Sequence, residues 1–262
     1  MRTATFNRIT GATVAVMVVF ILSVVAVIAS KTGPSALLTN LTSEEILFSI
    51  RLSIVTATVS SLMCMLVAIP AGYALARLDF PGRTLANTIV NLPLALPPLV
   101  AGVGLLLFFG QTPVGDLLNR LGIEIVFTKA GIVMAQFLIN VPFAIRIMHS
   151  TFEGINPRYE HVAKTLGHTH GETFWKVTLP MAKNGVLASA AITWAKGMGE
   201  FGAVLMLAGA TRMKTETLPI AVFLNMSSGQ LQLAVAAAII LVAVSVLALF
   251  VLERFGGTAT IY

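Results

Sequence analysis

The chain has 262 residues, of which 56% are hydrophobic and only 11% are charged, and its mean hydropathy is +0.90. Soluble domains carry about 25% charged residues, so this composition excludes a water-soluble fold and indicates an integral membrane protein. The formal net charge is +6, but basic and aromatic residues are not interleaved, so the charge does not indicate a nucleic-acid partner.

Six apolar runs are long enough to cross the hydrocarbon core of a bilayer, which takes about 20 residues. None shows sustained alternation of apolar and polar residues, so each is predicted to be a helix rather than a strand of a barrel. The sequence therefore predicts an all-α polytopic membrane protein of one domain with six transmembrane helices. The predicted spans are residues 11–29, 52–76, 85–109, 130–148, 184–208 and 231–252.

The first predicted span has some features of a secretory signal peptide, because Arg2 and Arg8 precede it and small residues lie near its end. It is long for such a signal, however, and cleavage would leave only five spans, so we predict a retained anchor. With the N-terminus in the cytoplasm, ten Lys and Arg residues lie at the inner face and five lie outside. Basic residues favour the cytoplasmic side, and both termini are therefore predicted to be cytoplasmic.

A long polar segment, residues 156–180, lies between the fourth and fifth predicted spans. Pro157 is favoured at the first position of a helix and Gly167 is a natural stop, so a short helix is predicted between them. Thr169 and Glu172 match the Thr-x-x-Glu capping box and predict a second short helix. That helix is predicted to end at the Leu-Pro pair that precedes the fifth span.

The first helix of this segment is interpreted as a docking surface for a partner protein. Ala163 and Gly167 lie four residues apart and share one face, where small side chains would let the backbone of a partner approach closely. Glu160 and Lys164 have the same spacing and can pair their charges, while Leu166 offers apolar contact. The alternative is an amphipathic helix that lies on lipid headgroups. Gly167 breaks the helix between the histidines of the segment and no acidic or Cys partner stands at ligand spacing, so no metal site is predicted.

The polar segment resembles the cytoplasmic loop by which the permease subunits of type I ABC importers contact their ATPase. The matching residues are Glu160, Ala163, Gly167, Leu179 and Pro180. The resemblance covers nearly the whole chain. Gly-Glu-Phe-Gly-Ala at residues 199–203 is similar to the fifth span of molybdate, tungstate and sulfate permeases, and Thr-Leu-Pro at residues 217–219 suits the molybdate branch. Lys196 stands where this family would have Arg, which keeps the charge but loses the planar fork for bidentate contacts.

The resemblance implies a permease subunit in the cell membrane of a bacterium or archaeon, working as a homodimer with two cytoplasmic ABC ATPases and an extracytoplasmic oxyanion-binding protein. The cargo it implies is molybdate or tungstate, with sulfate or thiosulfate as an alternative. An ion-coupled secondary transporter is the alternative from a different class. The chain has no phosphate-binding loop, so it is predicted to bind no cofactor and to be no enzyme, with ATP and Mg²⁺ held by the ATPases. The implied ATPase-coupling residues are Glu160, Ala163, Lys164, Leu166, Gly167, Leu179 and Pro180.

Ionisable, proline and glycine residues inside the predicted spans indicate a candidate translocation path. Lys196 and Glu200 are costly inside a membrane and would face a cavity, or they would pair with each other across one helical turn. Prolines free backbone carbonyls in the third and fourth spans, and glycines permit a bend in the fifth. Lys196 is the only strong candidate cation at mid-membrane, so no tight anion site is predicted. The predicted path residues are Pro93, Pro97, Pro98, Asn140, Lys196, Gly199, Glu200 and Gly202.

Overall fold

A computed structural model describes residues 2–30 and 39–255 of the chain. Within these ranges the regular structure is entirely helical, which confirms the predicted all-α class. In chain order, the elements are α1 (Arg2–Ser30), α2 (Glu44–Arg77), α3 (Arg83–Ala95), α4 (Pro98–Gln111), α5 (Pro113–Arg120), α6 (Lys129–Glu153), α7 (Arg158–Thr165), α8 (His170–Thr173), a π-helical turn (Phe174–Thr178), α9 (Leu179–Met181), α10 (Lys183–Met198), α11 (Gly202–Ala208), α12 (Leu218–Ser227) and α13 (Leu231–Phe255).

In the described part of the chain, four helices are long and apolar enough to cross a membrane, and these are α1, α2, α6 and α13. The first, second, fourth and sixth predicted spans each lie within one of them. A fifth span results if α3 and α4 are taken together as one bent unit. The number of six spans stays a prediction.

The predicted third span, residues 85–109, is not one continuous helix, because α3 and α4 meet at an angle of 110°. Leu96 and Pro97 each precede a proline, which disfavours helical backbone at both positions. Their ψ angles are 135° and 133°, so the chain is extended there. Pro98 then starts α4, where the missing N–H of proline has no helical partner to lose. The extended backbone favoured at Leu96 and Pro97 and the helix start favoured at Pro98 together produce the break.

The predicted fifth span, residues 184–208, is also interrupted, because three residues separate the end of α10 from the start of α11. α11 packs against α4 at short distance. A Cβ added at Gly202 would lie 3.0 Å from the Cβ of Pro98, and one added at Gly102 would lie 2.8 Å from the Cα of Ala203. Small residues allow such close approach of helix backbones in membranes. The two interrupted spans therefore contact each other beside their breaks.

α2 lies at the centre of the bundle and packs along α6 and α10. Its inward face carries small hydroxyl side chains, and Ser53, Thr56 and Ser60 are all buried. A Cβ at Gly72 would lie 2.7 Å from the Cβ of Met148 on α6. Membrane helices associate through small residues and polar side chains in this way, because lipid offers no hydrophobic driving force between them.

α1 packs against α13, and most of its described side chains are exposed. An apolar helix with exposed side chains suits a surrounding of lipid. Whether α1 is retained as an anchor stays a prediction.

Candidate functional site

α7, the first helix of the polar segment, is fastened to the end of α2 by a buried glutamate. Glu160 is only 4% exposed. One of its carboxylate oxygens accepts a hydrogen bond from Arg77 Nε at 2.9 Å, and the other accepts one from the Tyr73 hydroxyl at 3.3 Å. Arg77 also donates to the carbonyl of Ile155 at 2.6 Å. The predicted pair between Glu160 and Lys164 is therefore wrong, because Glu160 faces the interior of the chain.

Ala163 shares this inward face of α7. It is 5% exposed, and α7 packs against the π-helical turn that follows α8. The prediction that Ala163 lets a partner backbone approach is wrong for this residue, since its small side chain is enclosed by the chain itself. Lys164 is half-buried and Leu166 is exposed.

Gly167 ends α7 through its backbone conformation. Its φ angle is +93°, in the left-handed region that glycine adopts without a steric penalty. The N–H of Gly167 donates to the carbonyl of Lys164 at 3.0 Å, and the N–H of His168 donates to that of Ala163 at 3.2 Å. These two bonds form a Schellman motif, so the predicted helix stop is confirmed. A Cβ at Gly167 would meet no atom within 4 Å in the part of the chain that the structure describes, so the glycine serves the turn rather than close packing there.

The predicted capping box is also confirmed. The Thr169 hydroxyl accepts a hydrogen bond from the N–H of Glu172 at 3.2 Å, and the Glu172 carboxylate accepts one from the N–H of Thr169 at 3.0 Å. That backbone donor, together with the ammonium group of Lys176, lowers the pKa of Glu172 to about 2. The carboxylate is therefore charged throughout the physiological range and holds the turn between α7 and α8.

The second helix of the segment does not end at Leu179 and Pro180 as predicted. The chain stays helical through the wider turn of the π-helix and through α9, which Leu179 begins. Pro180 lies in the first turn of α9, where a missing N–H breaks no hydrogen bond. Leu179 is half-buried and Pro180 is exposed.

The outer surface of the segment carries four exposed large apolar side chains. We define the apolar face as Tyr159, Val162, Leu166 and Trp175, whose exposed fractions are 55%, 57%, 77% and 68%. Tyr159 and Val162 lie on α7, Leu166 caps its C-terminal end and Trp175 lies on the π-helical turn, and neither element is a candidate span. Clustered exposed apolar side chains of this kind mark a site of interaction with protein or membrane.

The candidate path residues Lys196 and Glu200 do not pair with each other, which corrects one of the two predicted arrangements. α10 ends at Met198, so the one-turn spacing between them is lost. Lys196 places its ammonium group 4.0 Å from the centre of the Phe143 ring, which is a cation–π contact. Glu200 accepts a hydrogen bond from the N–H of Ala203 at 3.0 Å and so caps α11.

The remaining path residues fall into two groups. Pro97, Pro98, Gly199 and Gly202 lie at the two breaks, where α4 and α11 meet, and Pro93 lies within α3. Asn140 is fully buried beside Gly197, and neither polar atom of its amide has a partner among the described residues. Asn140 is therefore enclosed within this chain, and its place on the path stays a prediction.

A polar network closes the end of the bundle opposite to α7. Arg212 donates to Glu45 and to the Asn225 amide oxygen, and Asn225 donates to Glu45 at 2.7 Å. Glu216 is buried next to it and accepts a hydrogen bond from the N–H of Met213 at 2.9 Å. Burial, and then the adjacent Glu45 carboxyl, raise the pKa of Glu216 from 4.5 to about 7.

The raised pKa of Glu216 predicts a loss of stability as the pH rises. Between the two pKa values the folded protein holds a proton that the unfolded chain has released, so this stabilisation is complete below pH 4.5 and is lost as the pH rises through 7. We expect the melting temperature of the purified chain to fall between about pH 6 and about pH 8, and Glu216→Gln to remove that fall. Glu124→Gln, which changes an exposed glutamate, is the control and should keep it. A fall of equal size in Glu216→Gln would contradict the assignment.

Sequence reasoning missed several residues that the fold brings into the site. Arg77 and Tyr73 hold Glu160 from 83 and 87 positions away, and no local pattern signals such a contact. Trp175, by contrast, is a large aromatic residue in a polar segment, and that contrast was available in the sequence. No cluster of three or more His, Cys, Asp or Glu side chains suited to a metal ion occurs among residues 2–30 and 39–255.

The fold and the site together define a helical membrane protein whose helices break at residues 96–97 and 199–201 and whose non-spanning helical segment exposes an apolar face. A family model described as "Binding-protein-dependent transport system inner membrane component" matches residues 68–256. The chain belongs to this family. It is an ABC transporter permease and a multi-pass protein of the inner membrane.

Known proteins support this assignment. The chain is 32% identical over 252 residues to a probable molybdenum ABC transporter permease protein of Haloferax volcanii, over 96% of this chain and 91% of that relative. It is 34% identical over 226 residues to the sulfate transport system permease protein CysW of Synechococcus elongatus, over 86% and 79%. A chain in the crystal structure of a bacterial alginate ABC transporter in complex with its alginate-bound periplasmic protein matches with a TM-score of 0.73 at 17% identity, over 97% of this chain and 93% of that one. At this identity the likeness shows the fold alone.

Proposed function

We propose that this permease carries a tetrahedral oxyanion, molybdate or tungstate, with sulfate or thiosulfate as the second candidate. The relatives named for molybdenum and for sulfate are 32% and 34% identical to the chain, so overall similarity does not choose between the ions. The Thr-Leu-Pro stretch at residues 217–219, at the start of α12, supports the molybdate branch. The sulfate relative supports the second candidate.

The proposed assembly contains two copies of this chain around a two-fold axis, two cytoplasmic ABC ATPases that hold ATP and Mg²⁺, and an extracytoplasmic oxyanion-binding protein. Six spans would place both termini and the polar segment in the cytoplasm. The alginate transporter that shares the fold is described in complex with a periplasmic protein, which supports a partner of this kind here.

The main support for the proposal is that the apolar face belongs to the segment around α7, which is linked to the spanning helix α2. The four side chains of the apolar face are each more than half exposed, and exposed apolar side chains mark sites of interaction. The buried contact between Glu160 and Arg77 links α7 to the end of α2. A partner ATPase that moves the apolar face would therefore move α2 as well, and ATP-driven closure would reach the membrane through this link.

We place the translocation path along the interrupted spans. Backbone that is not helical is tolerated at membrane depth only where it borders protein or a water-filled cavity. The breaks near Pro97 and Gly199 both expose such backbone, and the exposed side chain of Lys196 lies one turn before the second break. A single exposed cation attracts an anion without holding it tightly, which a path requires.

Leu166→Asp is expected to abolish ATP-driven import. Burying a leucine contributes about 1.5–3 kcal/mol, and a charge in the same interface is costly, so ATPase binding should weaken by at least about tenfold, or 1.4 kcal/mol. The measurement is uptake of radiolabelled molybdate into liposomes that contain the complete transporter and its binding protein, together with co-purification of the ATPase. The wild-type transporter should import molybdate in an ATP-dependent manner, and sulfate should be tested in parallel.

Leu78→Asp is the matched control, because Leu78 is exposed at the same end of the bundle but lies outside the polar segment. It should leave ATPase binding and import close to the wild-type level. If Leu166→Asp retains the ATPase as well as the wild type does, the docking proposal fails, and the lipid-headgroup alternative for α7 gains support. If the wild-type transporter imports none of the oxyanions, the proposed cargo is wrong.

A further inference from the structure

A polar cavity opens between α2, α3 and α6, close to the end of α2 that holds α7. Its volume is about 450 Å³, and a smaller hollow of about 210 Å³ adjoins it. The polar residues that line the two are Arg83, Thr84, Asn87, Asn91, Arg146 and His149. None of the predicted path residues lines this cavity, so it is a feature that the sequence patterns did not reveal.

The two walls of the cavity present their polar groups at helical spacing. Arg146 and His149 are three residues apart on α6, and Asn87 and Asn91 are four residues apart on α3, so each pair shares one face of its helix. Asn91 donates to the carbonyl and to the amide oxygen of Asn87, at 2.7 and 3.0 Å. The amide N–H groups of Asn87 have no hydrogen-bond acceptor among the described residues.

The permanently charged side chains that line the cavity, Arg83 and Arg146, are both basic. Arg83 forms an ion pair with Asp79 at 3.1 Å, and His149 contacts Glu153 at 3.2 Å. Neither carboxylate belongs to the lining of the cavity. Arg146 is exposed and forms no ion pair with any described residue. A permanently charged guanidinium without a counter-ion, in a concave site at the end of a spanning helix, is a group that favours an anion.

We propose that this cavity is a weak binding site for the transported oxyanion, at the inner mouth of the path; this rests on the proposed function of the chain. The guanidinium of Arg146 donates two parallel N–H groups, which match two oxygens of a tetrahedral oxyanion. Asn87 adds neutral donors from the opposite wall. The open mouth and the small number of charges keep the site weak, so the ion is released into the cytoplasm.

The site is also placed to respond to the ATPase. Leu75 lines the cavity, and Arg77, two residues further along α2, is the partner of Glu160. Movement of α7 would therefore displace the helix end that forms one wall of the cavity. Occupancy of the site and the position of the docking helix are linked through the same turn of α2.

The test measures binding and transport separately. Equilibrium dialysis of the purified full-length chain in detergent, against radiolabelled molybdate or sulfate, reports the site without any ATPase or binding protein. Arg146→Gln should weaken binding of the ion by about tenfold. Lys183→Gln removes an exposed cation at the same end of the bundle but outside the cavity, and should leave binding unchanged. In the complete transporter, Arg146→Gln should slow uptake at low ion concentration while ATP hydrolysis stimulated by the binding protein persists.

The outcomes separate this proposal from the proposed function. A wild-type chain that binds neither ion in dialysis, in a transporter that imports them, overturns the site and leaves the function standing. Equal weakening by Lys183→Gln also overturns it, because general attraction to positive charge would then explain the binding. If binding appears only after anionic lipid is removed, the cavity holds a lipid phosphate instead and the proposal is wrong. A wild-type transporter that imports no oxyanion refutes the proposed function itself.

Discussion

Glu160→Ala is expected to destabilise the docking segment by roughly 3–5 kcal/mol, because removing one partner of a buried ion pair leaves the other charge uncompensated. Arg77 is 11% exposed and would keep only its hydrogen bond to the Ile155 carbonyl. The measurement is the free energy of unfolding of the purified chain, with limited proteolysis of residues 156–180 as a local readout. Cleavage there should become faster than in the wild type.

His161→Ala is the matched control, since this neighbouring polar side chain on α7 is exposed and exposed substitutions change stability by about 0.5 kcal/mol or less. A double variant sharpens the test. Glu160→Leu combined with Arg77→Met replaces the pair by apolar groups, which is often close to neutral, so it should regain much of the stability that Glu160→Ala loses. If Glu160→Ala is no more destabilising than His161→Ala, the pair does not fasten α7 to α2.

Loss of the ion pair between Glu160 and Arg77 should also impair transport. Among the described residues, the ion pair between Glu160 and Arg77 is the only charged link between α7 and α2. If this pair is lost, an ATPase bound to α7 would hydrolyse ATP without moving the spanning helix. The expected signature is import that falls further than ATP hydrolysis does. Leu166→Asp, in contrast, should lower both, because it removes the ATPase itself.

The sequence predicted those parts of the docking segment that depend on neighbours in the chain. The stop at Gly167 and the capping box of Thr169 and Glu172 each use hydrogen bonds within five residues, and such local preferences are visible in a sequence. The partner of Glu160 was not predictable in the same way. Helical spacing suggested Lys164 as the ion-pair partner of Glu160, but in the folded chain the partner is Arg77. A carboxylate that is buried inside a protein is stable only when its partner is buried beside it.

The spans illustrate the same limit. Apolar length located α2, α6 and α13 correctly, since the bilayer sets that length. The sequence identified the prolines at positions 97 and 98 as disruptive. Whether they bend the helix or split it depends on the segments that pack around them. Here α11 packs against the start of α4, beside the break. Contacts between segments about a hundred residues apart produce no periodic pattern in the sequence, so they could not be predicted from it.

That contact makes Gly102→Ala the second variant with a large expected effect. A Cβ there would lie 2.8 Å from the Cα of Ala203 and 2.9 Å from its carbonyl oxygen, and backbone atoms cannot move aside as a flexible side chain can. Overpacking of this kind costs about 1–3 kcal/mol. The melting temperature of the purified chain should fall, and import should fall with it, because the two interrupted spans would be pushed apart beside their breaks.

Gly104→Ala is the control that separates packing from helix propensity. Gly104 lies two residues further along the same helix, and a Cβ there would meet no atom of the other described segments within 4 Å. Alanine favours a helix over glycine by about 1 kcal/mol, so Gly104→Ala should be neutral or stabilising while Gly102→Ala destabilises. If the same substitution destabilises the protein at Gly102 but not at Gly104, only the face of α4 that carries Gly102 has a close neighbour. Equal effects would mean that α4 and α11 do not touch at Gly102, and the proposed path along the two breaks would lose its structural basis.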